Sequence, residues 1–230
     1  MSVILQIETA TTSCSVALAV DGKVVAFKQI NERNIHAEVI TLFIDELVTS
    51  ANLTYAGLDA IAVSSGPGSY TGLRIGISTA KGLCFALDKP LIAIETLEAM
   101  AYGVIHNDDF TVNQNTLLCP MIDARRMEVY CALFDAAGQK VRPTSADIID
   151  EQSFADELNK QQILFFGDGA DKCEAILGNN PNAKFLSGFV NSATFLTQKA
   201  ADKFGKKEFE DVAYFEPYYL KDFIAGKKAL

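Results

Sequence analysis

The chain has 230 residues, of which 49% are hydrophobic and 21% are charged, and its formal net charge is −9 at pH 7. This composition excludes a disordered chain and suits one large domain or two small ones. The negative charge argues against independent binding to a polyanion through a basic face. Any work on nucleic acid would therefore need a partner that supplies positive charge.

Cysteine usage and the absence of long apolar runs suggest where the protein works. The five cysteines are scattered through apolar stretches without a Cys-x-x-Cys pair, which indicates buried free thiols in a reducing compartment. A strand pattern begins within three residues of the N-terminus, and no apolar run approaches the ~18 residues that suggest a membrane span. We therefore expect a cytoplasmic protein without a membrane partner.

Strand and helix patterns alternate along the first half, which predicts an α/β fold. An Asp21-Gly22 pair joins two of the strands and favours a hairpin turn. The predicted strands cover residues 3–7, 15–20, 24–29, 58–63 and 91–94, and the predicted helices cover 34–51, 71–87 and 96–104.

A glycine-rich loop follows the strand at 58–63. Gly66, Pro67 and Gly68 predict a turn with positive φ, and Ser69 or Thr71 is a suitable N-cap for the helix after it. A strand, a glycine turn and a helix N-terminus together can present backbone amides to a phosphate. A tight connection without a ligand explains the same residues equally well.

The helix after this loop carries small residues at every fourth position, namely Gly72, Gly76 and Ala80. Each glycine costs about 1 kcal/mol relative to alanine inside a helix, so the repeat indicates that another backbone comes close. The helix is either an ordinary central helix of the domain, or it packs on the chain's own sheet and also against a second subunit.

The helix at 34–51 is apolar over half of its circumference, which is wider than one core contact requires. Two neighbouring helices with excess apolar surface predict an interface with a partner. The predicted interface residues are Val39, Ile40, Phe43, Ile44, Leu47, Gly72, Gly76 and Ala80.

Glu8 ends the first strand and precedes a hydroxyl-rich turn that includes Thr11. An acid in this position can orient a phosphate or a metal-bound water, or it can accept local amide hydrogen bonds. With the glycine loop, it defines a weak, vestigial nucleotide or phosphate site: Glu8, Thr11, Gly66, Gly68 and Ser69.

The second half repeats the pattern of the first, which predicts two lobes with a cleft between them. A run rich in Asn and Asp at 107–115 separates the halves, so the predicted domains are 1–106 and 107–230. The last helix, expected to end at Gly205, and the tail at 212–223 are predicted to pack back on the first lobe. Predicted strands cover 116–122, 128–134, 163–166 and a stretch from 141, and predicted helices cover 150–160, 170–177 and 192–204.

Four stretches together resemble the bacterial TsaB (YeaZ) family. They are IETA at 7–10, SGPGSYTGLRIG at 65–76, DARRMEVY at 123–130 and PYYLK at 217–221. The resemblance implies two ribonuclease-H-like lobes of the actin/Hsp70/sugar-kinase ATPase-like superfamily. It also implies a subunit that works with TsaD and the ATPase TsaE to make N6-threonylcarbamoyladenosine at position 37 of tRNAs reading ANN codons.

The same resemblance implies the partners and cofactors. The chain would form a heterodimer with TsaD, pair with itself when alone, and reach tRNA only through the complex. No firmly bound cofactor is expected, although ATP or ADP could bind weakly at the interface with the partner.

TsaD proteins carry metal-binding histidines where this chain has Thr96 and Met100. Neither side chain suits a hard or borderline divalent cation. We therefore expect no metal site, no catalytic residues and a non-catalytic role. The alternative is an active ATPase or phosphotransferase of the same fold, with Glu8 and the glycine loop around the phosphates.

Overall fold

The computed structural model describes residues 1–106 and 112–221. The predicted order of strands and helices in the first half is confirmed, with ends that move by a few residues. The elements are β1 (Val3–Glu8), β2 (Ser13–Val20), β3 (Lys23–Asn31), α1 (His36–Ser50), β4 (Ala60–Gly66), α2 (Tyr70–Leu87), β5 (Leu91–Glu95) and α3 (Thr96–Ile105).

The second half contains a similar series with shorter helices. Its elements are β6 (Thr116–Asp123), β7 (Glu128–Phe134), β8 (Lys140–Ile148), α4 (Ala155–Leu158), β9 (Gln162–Phe166), α5 (Glu174–Leu177), β10 (Ala183–Leu186) and α6 (Thr197–Lys206). Short 3-10 turns lie at Tyr55–Gly57, Asp171–Cys173 and Ala193–Leu196.

The two halves share one sheet topology within the described residues. The first sheet has the order β3-β2-β1-β4-β5, and the second has the corresponding order β8-β7-β6-β9-β10. In each sheet the first strand is antiparallel to the second and parallel to the strand on its other side. The sequence prediction of an α/β fold with two related lobes is therefore confirmed.

The central strands β1 and β4 are buried on both faces. This explains why their sequences are mostly apolar without alternating polar residues. α1 and α2 cover one face, whereas α3 and α6 lie toward the other. α3 also packs against the second sheet, through Leu97, Met100 and Val104 against residues such as Phe134 and Phe166. This helix therefore lies between the two lobes and borders the cleft.

The last helix and the tail contact the first sheet. Lys203 Nζ donates to the Ala93 carbonyl at 2.8 Å, and the Tyr218 amide donates to the Ser65 carbonyl at 2.7 Å. Lys81 on α2 donates to the Phe215 carbonyl at 2.9 Å. The proposed boundary after residue 106 lies at 107–111, outside the described residues, as does the chain beyond residue 221.

The helix predicted at 150–160 is wrong over most of its length, because only Ala155–Leu158 is helical. Phe154 precedes it with a left-handed φ of 62°. Its ring is buried 5.3 Å from the ring of Phe165, so packing of the aromatic side chain overrides the helical pattern.

The sequence missed β10, because its four residues are too few to show a period. Gly205 does not end the last helix either. It lies inside α6, and Lys207 takes the left-handed conformation that ends the helix, with φ 58°.

The five cysteines are free and buried, as predicted. Within the described residues, no helix combines the length and the apolar character needed to cross a bilayer.

Candidate functional site: the turn after the first strand and the cleft between the lobes

The small residues of α2 pack against the turn that follows β1. A Cβ on Gly72 would lie 2.1 Å from the Thr9 carbonyl oxygen, and a Cβ on Gly68 would lie 2.4 Å from the Ala10 carbonyl oxygen. Distances this short do not occur for real side chains, so both positions require glycine. The close neighbour that the glycine repeat predicted is therefore the chain's own backbone.

The polar groups of the glycine loop also bind within the chain. Ser69 is the N-cap of α2, and its Oγ accepts from the Gly72 amide at 3.2 Å. The Ser69 amide donates to the Ala10 carbonyl at 2.6 Å, and the Gly66 amide donates to Thr96 Oγ1 at 3.1 Å. These two amides are therefore already occupied and do not face a phosphate.

Glu8 is fully buried at the end of β1. Its Oε1 accepts from the Ala10 amide at 2.6 Å. Burial raises the pKa of the Glu8 carboxyl to about 7, and the Ala10 amide, Ser64 and Asn191 oppose that rise. Nevertheless, Oε2 of Glu8, Oγ of Ser64 and Nδ2 of Asn191 make no hydrogen bond of ordinary geometry in the described part of the chain.

A cavity in the cleft between the lobes has a volume of about 20 Å³. That is room for about one water, whereas small-molecule sites measure roughly 300–1,000 Å³. The lining residues are Thr11, Ser13, Asn31, Met100, Gly167, Asp168, Phe189, Val190 and Asn191.

Met100 lines this cavity from α3. It is fully buried, and its methyl carbon would lie 2.6 Å from a Cβ at Gly167. Thr96, one turn earlier, is also fully buried and accepts the Gly66 amide. Both positions at which the resemblance implies histidines in TsaD are thus occupied by packed side chains. Among the described residues, no group of three or more His, Cys, Asp or Glu side chains is placed to hold a metal ion.

The two histidines lie elsewhere. The His36 side chain is buried, and its Nε2 lies 3.0 Å from the Thr11 carbonyl oxygen. His106 is exposed and stacks on Tyr102 at a ring distance of 3.8 Å.

Most of the residues predicted for a partner interface face inward. Val39 and Phe43 are half-buried beside the first core. The remaining six are buried in the chain's own core or against the turn after β1: Ile40, Ile44, Leu47, Gly72, Gly76 and Ala80. In this chain the first lobe covers these six residues.

The large apolar side chains exposed on these two helices are Leu42, 59% exposed, and Phe85, 87% exposed. The sequence interpretation did not include either residue in the interface. Each lies on the polar side of its helix, and an apolar residue in that position indicates an exposed side chain. The sequence interpretation also missed Ser64 and Asn191, which approach Glu8 only through the folding of distant segments.

Sequence comparisons identify relatives along nearly the whole chain. The family model described as "TsaD: tRNA N6-adenosine threonylcarbamoyltransferase" matches residues 29–223. The tRNA threonylcarbamoyladenosine biosynthesis protein TsaB of Escherichia coli is 40% identical over 231 residues, which cover 98% of this chain and 97% of that protein.

Solved structures similar to this chain support the same family. YeaZ from Pseudomonas aeruginosa has a TM-score of 0.80 at 26% identity and covers 96% of this chain and 100% of its own. The activator of 2-hydroxyisocaproyl-CoA dehydratase from Clostridium difficile, with bound ADPNP, has a TM-score of 0.51 at 10% identity and covers 91% of this chain and 98% of its own, which indicates fold alone. The two lobes therefore have the fold of YeaZ, as the resemblance implied. The chain belongs to the TsaB (YeaZ) family of tRNA threonylcarbamoyladenosine biosynthesis proteins.

Proposed function

We propose that the chain is a non-catalytic subunit of a threonylcarbamoyltransferase complex. It would act with a TsaD-type transferase and a TsaE-type ATPase to modify N6 of adenosine 37 in tRNAs that read ANN codons. The observation that carries this proposal is the small cavity between the lobes, about 20 Å³ in volume, beside which Met100 packs against Gly167.

The side chains around the cleft support a role without chemistry. Transfer of a threonylcarbamoyl group needs a polarised carbonyl and a stabilised leaving phosphate, which a bound metal can supply. A threonine hydroxyl and a thioether at positions 96 and 100 are poor ligands for such an ion. Glu8 is a carboxyl without a charged partner in the described chain, and a single buried acid does not assemble a transfer site.

The outer face of α1 and α2 is the surface that we assign to the transferase. Leu42 and Phe85 project from these helices, and α1 and α2 contact each other. Exposed apolar side chains on adjacent helices are suited to a helix-on-helix interface with an apolar centre. The same face would pair two copies of the chain when the transferase is absent, and ATP or ADP would bind weakly, if at all, at the interface with the transferase.

Contact with tRNA would occur through the assembled complex, because a chain with a net charge of −9 repels a polyanion over most of its surface. A cytoplasmic location belongs to the same proposal, since its substrate would be tRNA.

Complementation tests the proposal. A strain depleted of its own TsaB is given this chain, and N6-threonylcarbamoyladenosine in its tRNA is measured by mass spectrometry. We expect the modified nucleoside to return. Failure to restore it, with the chain folded and co-expressed with its own transferase and ATPase partners, would overturn the proposal.

Calorimetry separates this function from the alternative of an active ATPase or phosphotransferase. The isolated chain is titrated with ATP and magnesium, and phosphate release is followed. The proposed subunit gives weak or no binding and no turnover. Micromolar binding with turnover would favour the alternative.

A further inference from the structure

Two adjacent arginines in the turn between β6 and β7 adopt a conformation that is unfavourable for their residue type. Arg125 has φ 69° and Arg126 has φ 49°, and both are exposed. Glycine, asparagine and aspartate adopt positive φ most readily, because a larger side chain crowds the backbone. The other non-glycine residues with positive φ in the described chain are Asp21, Asn34, Asn52, Asp88, Phe154 and Lys207.

Hydrogen bonds from one lysine fix the backbone of this turn. Lys172 Nζ donates to the carbonyl oxygens of Arg126 and Glu128, each at 2.7 Å, and forms an ion pair with Asp123. The Arg125 amide donates to Asp123 Oδ1 at 2.9 Å. The unfavourable conformation is therefore fixed by groups other than the arginine side chains.

The two guanidinium groups have no partner in the described chain, residues 1–106 and 112–221, since neither makes a hydrogen bond or an ion pair there. Nor do they neutralise the carboxylates nearest in sequence. Asp123 is paired with Lys172, and Glu128 is paired with Lys221. Within the described residues, the two guanidinium groups therefore make no contact that stabilises the turn.

The turn also lies beside the cleft. The Asp123 amide donates to Asp168 Oδ1 at 3.1 Å, and Asp168 lines the cavity between the lobes. The arginines therefore stand near the cleft rim on the second lobe, whereas the proposed transferase face is on α1 and α2 of the first.

We propose that Arg125 and Arg126 contact the phosphate backbone of tRNA in the assembled complex. This inference rests on the proposed function. A guanidinium group matches a phosphate with two parallel hydrogen bonds, and a fixed turn loses little freedom when it binds. The chain has a net charge of −9, so it can contact a phosphate only where positive side chains are concentrated. Arg125 and Arg126 form such a site, because the turn fixes their position and neither pairs with a carboxylate of the described chain.

The central test compares tRNA binding by complexes that contain different variants of this chain. In Arg125→Asn/Arg126→Gly both charges are removed and the new residues accept positive φ. Lys206→Gln/Lys207→Gln removes two other adjacent, exposed charges and is the matched control. Fluorescence anisotropy of labelled tRNA is measured with each complex over a range of KCl concentrations.

We expect the arginine variant to bind tRNA several-fold more weakly at low salt. The slope of log affinity against log salt should become shallower by about one to two units, because about one counterion is released for each phosphate contact. The lysine variant should match the wild-type slope. Arg125→Lys/Arg126→Lys keeps both charges but loses the guanidinium group that can make two parallel hydrogen bonds to one phosphate. This variant should retain most of the dependence of affinity on salt.

Thermal unfolding of the isolated chain supplies an independent readout. Because asparagine and glycine suit the turn, Arg125→Asn/Arg126→Gly should unfold at the same temperature as the wild type or higher. A lower unfolding temperature would show that the arginines hold the turn, which contradicts the inference.

Two further outcomes would overturn it. An unchanged salt slope in an assembled complex shows that the arginines do not meet phosphate. Loss of the transferase or ATPase partner from the arginine variant shows that they contact an acidic protein surface instead. If the wild-type chain forms no complex that binds tRNA, the proposed function fails together with this inference.

Discussion

Gly76 on α2 lies directly against Thr9, because a Cβ built on Gly76 would come within 2.2 Å of Thr9 Oγ1. Gly72 and Gly68 make similar approaches to the backbone of the same turn. The series places α2 against the end of β1 at backbone distance. The geometry around Glu8 therefore depends on a helix without side chains at these positions.

Gly76→Ala should lower the free energy of unfolding by about 2 kcal/mol, because the added methyl group has to displace Thr9 or the helix. Gly82→Ala on the same helix is the control, since a Cβ there meets nothing within 4 Å. That change should stabilise the chain by up to about 1 kcal/mol. Urea denaturation of both variants measures the difference. Equal effects at the two positions would show that α2 does not approach Thr9 so closely.

Glu8→Gln should change how stability depends on pH. The folded pKa of Glu8 is raised from 4.5 to about 7, so the folded state binds the proton more tightly than the unfolded state. The carboxyl therefore causes no loss of stability below pH 4.5. Stability falls as the pH rises from 4.5 to about 7, by about 3 kcal/mol in total.

Glutamine does not titrate, so the Glu8→Gln variant should not lose stability in this way. Its free energy of unfolding should therefore rise relative to that of the wild type as the pH increases from 4.5 to 7. Denaturant titrations at several pH values measure it. Glu38→Gln, a change at an exposed acid on α1, is the control. A difference that is constant with pH would mean that Glu8 keeps an ordinary pKa in the folded chain.

Met100→Ala should lower the free energy of unfolding by about 2–5 kcal/mol, because it removes a fully buried side chain between the lobes. If the cleft carries no chemistry, the variant should still restore the modified adenosine in the depleted strain at a temperature where it remains folded. Mass spectrometry of tRNA from that strain checks this. Loss of modification with the folded protein present would assign Met100 a direct part in the reaction.

Phe85→Asp should weaken co-purification with the transferase and dissociate any pair formed by the isolated chain. The side chain is 87% exposed, so the unfolding temperature should hardly change. Leu42→Asp should have the same effect from α1. Tyr214→Asp, at a position 84% exposed in the tail, is the control and should leave co-purification intact. Normal co-purification of both helix variants would place the interface elsewhere.

Sequence patterns were sufficient for several parts of the fold. Apolar runs separated by turn residues located β1, β4 and β6. Ser69, one of the two N-cap candidates, marks the start of α2. Strands, turns and caps depend on neighbours in sequence, which is why such patterns find them. The similarity between the halves predicted two lobes with one topology, which the strand orders confirm.

The same patterns failed where the structure depends on distant segments. The period of α2 showed that Gly72, Gly76 and Ala80 share a face, but it did not show that Thr9 lies against that face. The predicted interface therefore included residues that the chain's own core covers, while the exposed Phe85 was left out. Short elements such as β10 were missed because four residues hold too little pattern.

The sequence alone determined the order of elements in the first half, the repeated lobe and the family, because these follow from local propensity and from motifs that are contiguous in the chain. Only the tertiary structure decided three further points within residues 1–106 and 112–221. Glu8 is buried there without a charged partner, Met100 lines the cavity between the lobes, and Arg125 and Arg126 have no side-chain partner. Each of these depends on which residues of the other lobe or another strand come within a few ångströms, and that distance is set by packing of the whole chain.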